Sequence, residues 1–373
     1  MKLKITTLLL LFVVSANAQT LIPDVNFEQA LIDLNIDSDG VINGQVATSD
    51  INTITYLGLS FENISDFTGI EDFTALEELY VRNNSMTTID VSQLTNLDFF
   101  DCGNNPNLTS LITSGSTALR QLICVNTGIA NLDLSENTNF EILTATNASL
   151  NQLNITGLTS LTQLNLNGNN FTSINVSGLT NLFRLEASNN MLTNIVTDSN
   201  NTSLAVIEAS GNQLTSLDVS SISSLLRLIV DDNTNLSSLV IKNGNNSSIA
   251  TSNFSALNNT NLGCIEVDDV PYATANWTNI DAGTIFSQNC AALSSNDFLI
   301  NDISLYPNPT SQYLNLNTLE NVTYTIITIA GKVLLNGSLS ENEKISVQNL
   351  EKGVYFLRLD SRKNQKILKF IKE

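Results

Sequence analysis

The 373-residue sequence predicts a mainly β protein: a solenoid of about nine stacked repeats with a parallel sheet on its concave face and little helix, then a small Ig-like β-sandwich. Three observations predict it. An apolar pattern restarts every 21 or 22 residues, at Ile54, Leu76, Leu97, Leu119, Phe140, Leu161, Leu182, Leu204 and Leu225. A period held that closely marks units that bury their apolar faces by stacking. Within a unit, a short alternating strand such as Leu164-x-Leu166 runs into an asparagine, here Asn169. Beyond residue 302 the period stops, and short alternating segments from Tyr313 to Ile371 are separated by turn signals such as Ala330-Gly331-Lys332, as in a small antiparallel fold.

The elements follow in chain order. Lys2 and Lys4 precede an apolar run from Ile5 to Val14 and the small-residue stretch Ser15-Ala16-Asn17-Ala18, which reads as a secretory signal peptide over residues 1–18. Export makes disulfides permissible. Residues 19–53 read as an N-terminal cap, with helical spacing of apolar residues from Asn26 to Leu34. The next loop opens like a calcium-binding EF-hand. Asn35, Asp37 and Asp39 stand at positions 1, 3 and 5, Gly40 at 6 and Ile42 at 8, but Val46 replaces the glutamate at 12. It reads either as an incomplete calcium loop or as a plain polar turn. No other cofactor is expected.

Residues 54–242 carry the repeats. Stacked strands would pair at ~4.8 Å per step into a parallel sheet. The asparagine column Asn84, Asn105, Asn169, Asn190, Asn212 and Asn233 falls where the chain must leave the strand, and a buried amide can satisfy the backbone groups freed there. Glu62, Thr127 and Ala148 depart from it. The second halves, as in Ile89-Asp90-Val91 and Leu217-Asp218-Val219, are extended rather than helical. The unit LxxLxLxxNxLxxLxVxxLxx resembles the leucine-rich repeat family, in particular its short 21-residue bacterial class. The resemblance implies a solenoid that binds through its concave face.

Cys102 and Cys124 occupy the same inward position of neighbouring repeats and read as buried free thiols. Residues 243–293 read as a C-terminal cap, its Asn243 to Asn261 stretch a loop or degenerate repeat, with Cys264 and Cys290 predicted to be disulfide-bonded. Residues 294–302 read as a linker. In residues 303–373, Tyr306-Pro307-Asn308-Pro309, the Gly353-to-Arg358 strand and the basic Lys366-to-Lys372 end resemble the C-terminal sorting domain of the bacterial type IX secretion system. That implies passage across the outer membrane by engaging the secretion machinery, and display on the cell surface or release.

Composition narrows function. The formal charge is −20, with 36 acidic against 16 basic residues, which opposes binding to nucleic acid. There is no histidine, which removes the usual general base and zinc ligand. No stretch after the signal peptide is apolar enough to span a membrane. The expectation is an exported, non-catalytic protein that binds a protein or glycan at the cell surface. The concave column containing Tyr80, Asp101, Ile123, Glu186 and Glu208, flanked by Phe99, Val125, Ile142, Arg184 and Arg227, is the candidate site. Phe99, Ile123, Val125 and Ile142 are expected to form an exposed apolar patch, and Glu186 and Glu208 an acidic stripe. Glu186 and Glu208 are also the candidates for an alternative reading, a polysaccharide hydrolase. A structural coat protein without a soluble ligand is the other alternative.

Overall fold

The computed structural model describes residues 18–291, 304–316, 322–339, 344–360 and 365–373. Residues 1–17 of the predicted signal peptide and the predicted linker 294–302 lie outside them. The chain forms two compact units that divide after Gln288.

The first unit is a solenoid of about eleven turns. Ten parallel strands line its concave face in chain order, from Tyr56–Gly58 to Phe254–Ser255. Their middle residues are in register: Leu57, Leu79, Phe100, Leu122, Leu143, Leu164, Leu185, Ile207, Leu228 and Phe254. All ten are fully buried. The strand alternation sends one residue of each three inward, and each such burial contributes roughly 1.5–3 kcal/mol.

The tenth strand goes beyond the nine read from the period. It pairs Leu228 with Phe254, a step of 26 residues instead of 21 or 22, because two short 3-10 turns, Asn246–Ser248 and Thr251–Asn253, are inserted before it. The Asn243 to Asn261 stretch is thus a degenerate repeat, and its Asn259 continues the asparagine column. Asn259 Oδ1 accepts from the Asn233 amide at 2.9 Å, and Nδ2 donates to the Val230 carbonyl at 3.1 Å.

That column is a buried ladder. Asn169, for example, donates to the carbonyls of Ala145 (2.7 Å) and Leu166 (2.9 Å) and accepts from the amides of Ala148 and Leu150. At two of the three departures the ladder thins: Thr127 donates to the Cys124 carbonyl (3.0 Å), and Ala148 has no side chain to donate. A second column precedes it. Asn83, Asn104, Asn126, Asn147, Gly168, Asn189, Gly211, Asp232 and Asn258 all have positive φ, between 53° and 70°. Asn, Asp and Gly adopt that left-handed conformation most readily. At 168 a Cβ would also lie 2.0 Å from Asn147 Oδ1, so any other residue would displace that side chain.

On the convex side, short strands pair in twos, Thr88–Asp90 with Ser110–Ile112, Asn131–Asp133 with Gln152–Asn154, and Ser173–Asn175 with Asn194–Val196. A four-stranded group from Ser216–Asp218 to Ile285–Ser287 follows. The aspartates there end strands: Asp90, Asp133 and Asp218 each accept from the backbone amide two residues on.

Both ends are covered. Helix Val25–Asp33 is capped by Asp24 and buries Phe27, whose ring meets Phe67 at 5.4 Å and Phe73 at 6.2 Å. At the other end Trp277, after helix Val270–Asn276, stacks on Phe254 at 4.4 Å and donates to the Ile249 carbonyl at 3.0 Å. Cys264 and Cys290 are disulfide-bonded as expected. Cys102 and Cys124 are buried and free. Burial pushes both thiols up, Cys124 to about 12, so neither is a reactive thiolate.

The second unit holds two antiparallel sheets. One joins Leu305–Tyr306, Tyr313–Leu316 and Lys344–Ser346; the other joins Val322–Thr328, Val333–Leu339, Gly353–Asp360 and Gln365–Lys372. Leu314, Ile326, Ile345, Leu357 and Phe370 lie in its core.

Candidate binding face

The first nine concave strands turn their first and third residues away from the core, and the tenth adds Ser255 to the third row. The first-residue row reads Tyr56, Glu78, Phe99, Gln121, Ile142, Gln163, Arg184, Val206, Arg227; the third reads Gly58, Tyr80, Asp101, Ile123, Thr144, Asn165, Glu186, Glu208, Ile229, Ser255.

The two halves differ in chemistry. Toward the N-terminal end, Tyr56, Tyr80 and Phe99 form a chain of tilted rings, 5.4 Å and then 5.0 Å between centroids. Tyr80 donates to Glu78 at 2.9 Å; burial, and then this bond, push its hydroxyl up to about 12. Ile123, Val125 and Ile142 continue the run. The patch differs from expectation in exposure: Phe99, Ile123, Val125 and Ile142 are half-buried, because side chains one strand apart shield each other. Val125 sits two residues past its strand, with its carbonyl accepting from the Asn104 amide. The most open member of this run is Tyr56, 60% exposed. Sequence reasoning missed it, although it stands two residues into the first repeat, in the row of Phe99 and Ile142.

Asp101 corrects the expected column. It is 3% exposed rather than solvent-facing. Its carboxylate accepts from the Gly103 amide at 3.0 Å and pairs with Arg82 at 3.3 Å, while burial raises its pKa. The residue two positions on is glycine, and that lets the carboxylate fold back onto the sheet.

Toward the C-terminal end the expected acidic stripe is neutralised. Glu186 pairs with Arg184 at 2.9 Å and accepts from Asn165 at 2.6 Å. Glu208 pairs with Arg227 at 2.6 Å, and Arg227 also donates to the Ser252 carbonyl at 3.2 Å. Along the leading edge of the sheet, Phe183 and Leu226 are exposed. On the convex side a cavity of about 570 Å³ opens between strands Gln152–Asn154 and Ser173–Asn175, lined by neutral residues including Leu153, Phe171 and Ile174.

The Asn35 to Val46 loop, read either as an incomplete calcium loop or as a polar turn, is held by hydrogen bonds to its own carboxylates and those of its flanks. Asp39 accepts from the Val41 amide (2.9 Å) and from Asn43 (2.8 Å), Asp50 accepts from the Ser38 amide (3.2 Å), and Glu28 accepts from the amides of Asn43, Gly44 and Gln45. Burial raises the Asp37 pKa, with Asp39, Glu28 and Asp50 close enough to add to the rise. Among the described residues no three His, Cys, Asp or Glu side chains converge to hold a metal, and no helix is long and apolar enough to cross a membrane.

Residues 304–373 match the family described as secretion system C-terminal sorting domain. This chain carries a sorting tail. The tail directs type IX secretion to the cell surface or the exterior, and its partner is the secretion machinery. No curated protein matches the chain. Among solved structures, an internalin (InlF) of Listeria monocytogenes is 21% identical, covering 72% of this chain and 98% of its own at TM-score 0.38. The functional domain of InlJ from the same organism is 19% identical, covering 96% and 100% at 0.34. The APL1 leucine-rich repeat domain is 16% identical, covering 63% and 68% at 0.47.

Proposed function

We propose that this protein is an exported, non-catalytic binding protein that engages a protein or glycan partner through its concave face, with the sorting tail delivering it outside. The observation that carries the reading is the aromatic and aliphatic run Tyr56, Tyr80, Phe99, Ile123 and Ile142 on the open side of the sheet. Half-buried rings and aliphatic side chains gathered on the open side of a sheet suit a partner site, and aromatic side chains dominate binding energy at such sites.

The same face speaks against hydrolysis by Glu186 and Glu208. A retaining pair needs one carboxyl held protonated beside the sugar, whereas each of these carboxylates is engaged by an arginine. The residues of the N-terminal half, rather than the glutamates, are the proposed contact.

The test is capture by the full chain on arrays of glycans and of outer-surface proteins from neighbouring cells. Tyr56→Ala and Phe99→Ser are expected to weaken capture at least about 10-fold, the effect of losing one good anchor, with the thermal midpoint of Tyr56→Ala unchanged. Capture indifferent to both would sink the placement. Glycan turnover that disappears in Glu208→Gln would favour the hydrolase, and blanks on both arrays the structural coat.

A further inference from the structure

Among the described residues one buried side-chain polar atom has no hydrogen-bond partner, Asp37 Oδ2. Such orphans are rare in folded proteins, and an ion is one of the few things that explains them. Asp37 is 5% exposed, and the atom belongs to the loop whose residues repeat the opening of an EF-hand, Asn35-x-Asp37-x-Asp39-Gly40. Gly40 has the positive φ, +64°, that the sharp turn at that position requires. The surrounding carboxylates accept hydrogen bonds from the loop or its flanks, at both Asp39 oxygens, one Asp50 oxygen and both Glu28 oxygens, and each such oxygen keeps a second lone pair. Those bonds hold the loop in shape and leave Asp37 Oδ2 without a donor, in a neighbourhood too negative to be its natural solvent.

We propose that this N-terminal cap loop binds one calcium ion, with Asp37 and Asp39 as its carboxylate ligands, completed by neutral oxygens from Asn35 and the loop backbone. Calcium fits because it takes six to eight oxygens in a flexible shell and accepts carbonyl and amide oxygens beside carboxylates. Two carboxylates with amide and backbone oxygens make up a low-charge version of such a site. Val46 at the twelfth position leaves out the bidentate glutamate, so affinity falls in the weak range of extracellular modules, a Kd on the order of 10⁻⁴–10⁻³ M. A secreted protein meets calcium at such levels, and the loop lies directly after the helix that closes the first repeat.

The experiment titrates the full chain, stripped with a chelator, with calcium chloride up to about 10 mM, by calorimetry and by thermal melting, with magnesium chloride as the control. The expected result is one saturable site with a rising melting midpoint, a response at least about 10-fold weaker for magnesium, and loss of both signals in Asp37→Asn and in Asp39→Asn. Asn35→Gly, at an exposed position, removes the side-chain oxygen while keeping the left-handed backbone there (φ 54°), and serves if the aspartate variants do not fold. Three results would overturn the proposal: no heat and no shift in the parent protein; equal responses to calcium and magnesium; or a calcium response that survives Asp37→Asn. The first, accompanied by an Asp37→Asn variant more stable than the parent, would identify Asp37 as a buried protonated acid.

Discussion

Replacing Asn190 by alanine isolates what the buried amide ladder contributes. Its Nδ2 donates to the carbonyls of Leu166 (3.0 Å), Ala187 (3.2 Å) and Ser188 (3.3 Å), and its Oδ1 accepts from the Phe171 amide (3.1 Å). The loss is unequal among them. The Leu166 carbonyl keeps the amide of Asn169, and the Ala187 carbonyl keeps that of Asn212, because each rung's carbonyl is served by two neighbouring asparagines. The buried Phe171 N–H, however, is left without an acceptor. An orphaned donor costs about 1–3 kcal/mol, and each of the two shared bonds lost costs about 0.5–1.5 kcal/mol, so the variant should lose about 2–6 kcal/mol. Asn190→Asp should cost more at neutral pH, because a carboxylate would face three carbonyl oxygens. Asn170→Ala, which removes one exposed bond to the Ser149 carbonyl, should cost under about 1 kcal/mol. Urea unfolding of the full chain followed by Trp277 fluorescence reads the solenoid specifically, since this is the chain's single tryptophan and it is buried in the C-terminal cap. A loss below about 1 kcal/mol for Asn190→Ala would refute the ladder as a source of stability.

Other outcomes follow from the ends and the core. Asp24 caps the first helix and also accepts from the Ser65 amide and hydroxyl and the Asp66 amide, so Asp24→Ala should cost about 2–4 kcal/mol by urea titration. Burial alone would raise the Asp24 pKa, but these bonds together lower it from 3.8; its contribution is therefore present above the unfolded value and lost as pH falls through the folded one. The gap between parent and Asp24→Ala should be full at pH 6 and shrink below roughly pH 4; a gap independent of pH would contradict this. Cys264→Ser should lower stability by about 3 kcal/mol through the unfolded chain, measured against the parent under oxidising conditions. Cys102 and Cys124 should resist a thiol reagent in the native protein and react only after denaturation; native labelling would contradict their burial.

How much was legible can be argued from particular residues. The inward leucines, the asparagine turns and the tail strands were readable because each depends on residues within one unit. The segment Tyr324 to Ile329, for instance, is found as strand Val322–Thr328. The left-handed column is equally local, a repeated Asn, Gly or Asp before the ladder asparagine. The tenth rung was not readable by period, since an insertion moved Phe254 to 26 residues from its partner. Asp101 was misplaced because its exposure depends on Gly103 and Arg82, not on strand alternation.

The sequence by itself determined the architecture: the number of residues per turn, the inward face, the turn asparagines and the sorting tail. These are short-range patterns, and stacking copies of one unit multiplies them without new information. Only the tertiary structure decided the chemistry of the concave face. Which carboxylate is paired, which ring stays open and which aspartate oxygen lacks a partner are set by side chains about 21 residues away that become neighbours at ~4.8 Å when the turns stack, and the repeat pattern leaves those side chains free.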